Sequence, residues 1–218
     1  MRTFDTPAPI SAVLDIPAGT VRFLAADRAD TTVEVLPADA ARRRDVKAAG
    51  RTAVEYRDGV LRIEAPAGNQ VLGASGSIQV TVHLPAGSRV RAKAASAGLR
   101  GVGRLGEVAF EGSHGSVELD EAASLDLTTH AGDVTVGRLA GPAEISTAKG
   151  DIRITEAVRG KVVLRTRAGD ISVGARASAS LDAGTALGRV HNTLRNTGDA
   201  EVDIHATTDH GDITAHGL

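Results

Sequence analysis

The chain of 218 residues has no cysteine, no tryptophan and only four aromatic residues: Phe4, Phe23, Tyr56 and Phe110. Without cysteine there are no disulfides, no thiolate metal sites and no cysteine nucleophile. The shortage of rings argues against stacking platforms for nucleic acid, aromatic cages and sugar-stacking sites. No run of about 18 apolar residues occurs, so no membrane-inserting helix is expected. The first residues, MRTFDTPAPISAVLDI, lack the apolar stretch of a signal peptide, and a cytoplasmic location is the expectation. Net charge is also small: 25 basic against 27 acidic residues give −2. That balance provides no global field for nucleic acid or anionic lipid. What the chain does have is 42% hydrophobic residues, enough for a sizeable core, and 25 glycines.

Residues 1–88 read as an N-terminal antiparallel β region. Alternating apolar positions occur in Ile10–Ile16, in Thr20–Leu24 and at Val33 and Val35, with Pro17-Ala18-Gly19 as a turn between the first two runs. Asp58-Gly59 between VEYR and VLRI is a hairpin signal, because both turn positions need positive φ. Between them, Ala38–Gly50 suits a short helix or an exposed loop, and its Arg42-Arg43-Arg44 run suits a solvated face. Ser77–Leu84 alternates as a further strand.

Residues 89–218 are an internal repeat. Gly98, Gly115, Gly132, Gly150, Gly169, Gly188 and Gly211 recur at spacings of 17, 17, 18, 19, 19 and 23 residues. Apolar residues stand seven and five positions before the glycine, as in Leu125 and Leu127 or Val162 and Leu164. Others stand two and four positions after it, as in Val134 and Val136 or Ile152 and Ile154. A third apolar point falls near Leu105, Leu139, Val158 and Leu194. Each unit is therefore two short period-two strands joined at a glycine corner, too short for a crossover helix. The expected fold is all-β: a parallel β-solenoid (β-helix) of about seven 17–19-residue rungs, right-handed by the rule for parallel crossovers. The N-terminal region would cap or continue the stack, and the C-terminal rung would end at Leu218 with an open edge.

The segment IQVTVHLPAGSRVRAKAASAG (78–98), followed by Gly132-Asp133-Val134, Gly150-Asp151-Ile152, Gly169-Asp170-Ile171 and Gly211-Asp212-Ile213, resembles the DUF4097 family, in particular its actinobacterial branch. The resemblance runs over nearly the whole chain. It implies a bacterial β-strand-repeat protein of the kind labelled adhesins, a β-solenoid and no enzymatic activity, with no catalytic, cofactor-binding or metal residues to carry over.

Three constellations carry candidate chemistry. The position after the corner glycine reads Ser116, Asp133, Asp151, Asp170, Arg189, Asp212. Stacked about 4.8 Å apart, such carboxylates repel, and a cation such as Ca²⁺ would relieve them. Alternatively each Asp bonds its own corner backbone, as Asp does in turns. Six positions before the glycine, Asp126 and Glu144 fall on adjacent rungs, a carboxylate pair like those of polysaccharide-cleaving β-helices, or simply a solvated strand face. His191, His205, His210 and His216 gather late, beside Asp209 and Asp212, as Zn²⁺ or Ni²⁺ ligands or as a polar last rung. Gly101-Val102-Gly103-Arg104-Leu105-Gly106 spells a dinucleotide fingerprint but lacks the following helix. The expectation is a non-enzymatic structural or protein-interaction scaffold without cofactors. The alternatives are self-assembly into a homo-oligomer through the open C-terminal rung, and carbohydrate binding or cleavage.

Overall fold

The computed structural model describes residues 1–66 and 76–218 and is an all-β, mostly parallel sheet. The strands β1 (Arg2–Asp5), β2 (Ser11–Ala26), β3 (Asp30–Pro37), β4 (Ala53–Arg57), β5 (Val60–Glu64) and β6 (Ile78–Pro85) make one end. Here β1 pairs with β3, β3 with β6, and β4 with β5, all antiparallel. Asp58 (φ 51°) and Gly59 (φ 77°) form the expected tight turn of the β4–β5 hairpin. The 38–50 stretch does contain a helix, α1 (Arg43–Arg51), which lies against β3 and β6. Its one buried residue is Asp45, whose carboxylate accepts a hydrogen bond from the Ser77 amide at 3.0 Å. That bond offsets the desolvation of the charge and ties the helix to the strand end below it.

Residues 1–88 are antiparallel only in part. β2 runs parallel to β5 and β6 on one side and to β7 (Arg89–His114) on the other. Pro17-Ala18-Gly19 does not reverse the chain. Gly19 takes φ 144° with its Cα against the Ile78 carbonyl, so the strand turns a corner and continues. The alternation read in 10–24 is correct; the partners it finds are parallel ones.

From β7 onward the repeat units stack on one another, in chain order as far as β13. The strands are β8 (Val117–Ala131), β9 (Val134–Leu139), β10 (Ala143–Lys149), β11 (Ile152–Ala157), β12 (Gly160–Ala168), β13 (Ile171–Ala175), β14 (Ala179–Leu187), β15 (Val190–Thr193), β16 (Val202–His210) and β17 (Ile213–Gly217). The strands before each corner form one parallel ladder and those after it a second. Register places the inward side chains in columns. One runs Leu125, Ala143, Val162, Ile204, Leu181; another runs Val117, Val134, Ile152, Ile171, Ile213, Val190. Ile145, Ile152, Ile154, Val162 and Leu164 are fully buried. The third apolar column holds Ala122, Leu139 and Ala157, with Ala157 rather than its neighbour Val158 turned inward. The 101–106 glycines lie inside β7, where the register shifts between Gly101 and Arg104, and they form no phosphate loop.

The order of the last units departs from chain order. β16 lies between β12 and β14, and β17 between β13 and β15. The unit at 202–217 therefore occupies an inner slot, and the unit at 179–193 is outermost. The open edge expected at the C-terminal rung belongs instead to β14 and β15, which have no strand beyond them among the described residues. Side-chain chemistry explains the exchange. Val202, Ile204 and Ile213 fill the inner columns with no exposed surface, whereas 179–193 offers Ala179, Leu181, Val190 and Asn192 at the same heights. Burying Asn192 in an apolar column would cost about 1–3 kcal/mol, and the branched side chains gain more from burial than alanine does.

Candidate functional site

The corner column is the most regular polar feature. The Asp133 carboxylate accepts from the Asp151 amide at 2.9 Å, Asp151 from the Asp170 amide at 2.8 Å, and Asp170 from the Asp212 amide at 2.8 Å. Asp212 in turn accepts from the Arg189 amide at 2.8 Å. Each carboxylate thus satisfies the backbone of the next unit and not that of its own corner. Two main-chain bonds complete each corner: the Gly150 amide donates to the Ala168 carbonyl and the Ile152 amide to the Asp170 carbonyl, both at 2.9 Å. Threonines close the carbonyl side, with buried Thr166 donating to Gly150, buried Thr208 to Gly169 and half-buried Thr185 to Gly211. Arg189 occupies the column in the outermost unit, beyond which no further amide follows among the described residues. Asp151→Ala is expected to lower stability by about 1–2 kcal/mol in urea unfolding, and Asp151→Asn, which keeps an acceptor oxygen, by less.

Asp126 and Glu144 do come together, as register partners on β8 and β10. Glu144 is engaged by Arg165 at 2.6 Å, so the pair is not two free carboxylates facing one bond. Around it the outward face of the first ladder forms a shallow trough. One hollow of about 350 Å³ is lined by Glu107, Asp126, Glu144 and Lys161. A hollow of about 420 Å³ shares Asp126 with it and adds Arg91 and Lys93, and one of about 530 Å³ shares Thr128 with the second and adds Ser146 and Arg167.

The late histidines do not converge. His205 projects from β16, His191 from β15 and His216 from β17, while His210 ends β16 at a corner. Among the described residues no three His, Asp or Glu side chains are placed to hold a metal ion. His205 instead stands between two carboxylates, its Nδ1 3.3 Å from Asp182 and its Nε2 3.0 Å from Asp203. Ser180 donates to the other Asp203 oxygen at 2.8 Å. The Ser180 hydrogen bond, with His205 next in weight, holds the Asp203 carboxyl below the usual range. On the second ladder, Arg138 bridges Glu121 and Glu156 at 3.2 and 3.7 Å, and Arg176 adds to Glu156 at 3.4 Å. The Arg138 grouping has a signal in the common period, because Glu121, Arg138 and Glu156 each stand six residues after a corner glycine in consecutive units. The sequence signal for the His205 cluster is the shared position of Asp182 and His205 six residues before a corner.

The Toastrack DUF4097 family model matches residues 13–216. The chain belongs to this family. No curated protein matches it. Among solved structures, this Toastrack chain is similar to a cell adhesion protein described as "putative" from Clostridium sporogenes, at 11% identity and a TM-score of 0.40, covering 100% of this chain and 98% of that one. A "putative adhesin" from Bacteroides fragilis matches at 11% identity and a TM-score of 0.45, over 98% and 95% of the two chains. A "putative lipid binding protein" from Parabacteroides distasonis matches at 12% identity and a TM-score of 0.46, over the same shares. The described part of the Toastrack chain contains no helix long and apolar enough to cross a membrane.

Proposed function

We propose that the protein is a non-enzymatic scaffold, a right-handed parallel β-solenoid that binds another protein along the outward trough of its first ladder. The use of the polar side chains supports this reading most directly. The corner aspartates, the buried threonines and the Arg138–Glu156 chain all bond one unit to the next. They stiffen the stack, and the exposed mosaic of Arg91, Lys93, Asp126, Arg165 and Arg167 is left as the surface that another molecule meets. Mixed charge without aromatic residues suits a polar protein surface better than a sugar. The test compares wild type with an Arg165→Glu/Arg167→Glu variant in crosslinking and capture from the native host. A partner lost in the variant, with the melting temperature unchanged, supports the trough. Equal capture by both proteins overturns it. Release of reducing sugar from a polysaccharide panel, abolished by Asp126→Asn, would overturn the non-enzymatic reading.

Self-assembly through the outermost unit is the second reading, favoured by Leu187 and Val190, which are 64% and 46% exposed. Arg189 and Asn192 weigh against it. A further stacked unit would meet a column position without a carboxylate and an inward polar amide. Light scattering over a concentration series is expected to report a monomer.

A further inference from the structure

We propose that the open end of the stack, formed by β14 and β15, is an acceptor site for an extended, acidic segment of another protein. The segment adds one further parallel unit: a strand along β14, a glycine corner, and an aspartate or glutamate at the height of Arg189. This surface is distinct from the trough and does not depend on it.

The slot is defined by what its counterparts do further in. Val190 stands in an inward column whose other members, Val117, Val134, Ile152, Ile171 and Ile213, are at most 1% exposed, yet it is itself 46% exposed. Leu181, only partly buried, shows the same contrast with Ile204 and Val162. The difference is apolar area that a further unit would cover. The backbone repeats the pattern. The corner amides of Gly150, Gly169 and Gly211 each donate to the unit beyond, as do those of Ile152, Ile171 and Ile213. Gly188 and Val190 are next in these two series, and among the described residues no strand lies beyond them to accept. The loop after β15 covers the start of this edge, where the Ala179 amide donates to the Arg195 carbonyl and the Thr197 amide to the Ser178 hydroxyl. It leaves the corner at Gly188 exposed.

The corner also selects the occupant. In the inner units the residue after the glycine sends its side chain toward the unit beyond: Asp133, Asp151, Asp170 and Asp212 each accept from the next amide. Arg189 holds that position in the outermost unit and is exposed. A guanidinium only donates, so its complement in the next slot is a carboxylate at the same height. A second copy does not supply it, because the aspartate-bearing corners lie inside its own stack and its free end carries the same Arg189. Apolar side chains at the heights of Leu181 and Val190, and a polar one at that of Asn192, complete the pattern of the occupant.

The probe is a synthetic peptide with the sequence of residues 202–217, which matches the register of 179–193 and carries Asp212 after its glycine. Hydrogen exchange on the full-length protein with about 1 mM peptide is expected to slow at the Gly188 and Val190 amides by at least about tenfold. Protection of the protein's own 202–217 is expected to stay unchanged. Asp212→Lys in the peptide is expected to weaken binding about two- to fivefold, and Arg189→Glu in the protein to reverse that preference. Equal binding of the Asp and Lys peptides, or displacement of the protein's own 202–217, overturns the proposal. So does an unprotected corner, which would leave Arg189 and Asn192 as residues that keep the edge unpaired.

Discussion

Replacing Gly150 by alanine is expected to lower the stability of the protein by about 3–5 kcal/mol, read as a drop in the urea midpoint. Gly150 has φ 141°, a conformation that side chains rarely adopt, and a Cβ there would lie 2.3 Å from the Gly132 carbonyl oxygen. Neither atom can yield, because the same corner carries the Asp151–Asp170 bond and the Ala168–Gly150 ladder bond. Strain of about 1–3 kcal/mol adds to an overpacking cost of similar size. Gly184 is the matched control. It lies on β14 without a positive φ, and a Cβ added there would meet nothing within 4 Å. Gly184→Ala is expected to change stability by less than about 1 kcal/mol. Equal effects at the two sites would mean that the glycines serve flexibility and not the corner.

The second large effect separates the two outer units. Ile204 and Leu181 are register partners in one inward column, yet Ile204 has no exposed surface and Leu181 is only partly buried. Ile204→Asp places an unpaired charge in an inner slot and is expected to cost more than about 4 kcal/mol or to prevent folding. Leu181→Asp reaches water at the open end and is expected to cost about 1 kcal/mol. Thermal unfolding of the two variants decides the order. With units stacked in chain order, Leu181 would be the inner residue and the severities would be reversed.

This pair also marks how far the sequence can be read. The period, the corner glycines and the inward positions follow from local alternation, because a strand's two faces are set by its own pleat. Thus Val134, Val136, Ile152 and Ile154 are identifiable as core before any partner is known. Which unit lies on which is a different kind of information. A spacing of 23 residues, the arginine at 189 in a column of aspartates and the asparagine at 192 in a column of aliphatics all mark 179–193 as the terminal unit. Their meaning emerges only when the slots are compared. The candidate chemistry is more local. Asp126 with Glu144 and Asp182 with His205 each stand at the same height in consecutive units, and the second pair meets whichever of the last two units is outermost. The aspartate column is visible as a column, but its target, the next unit's amide, depends on a corner geometry that residue types do not encode.

The exchanged order bears on how the chain is made. Residues 179–193 leave the ribosome before 202–217, yet they lie outside them. Winding can proceed unit by unit as far as Ala175 during synthesis. From there the nascent chain holds a placeholder: 179–193 either waits unpaired or rests briefly on β12 and β13 until 202–217 arrives and displaces it. In either case completion of this end must wait for 202–217, with a timing separate from the vectorial growth of the rest.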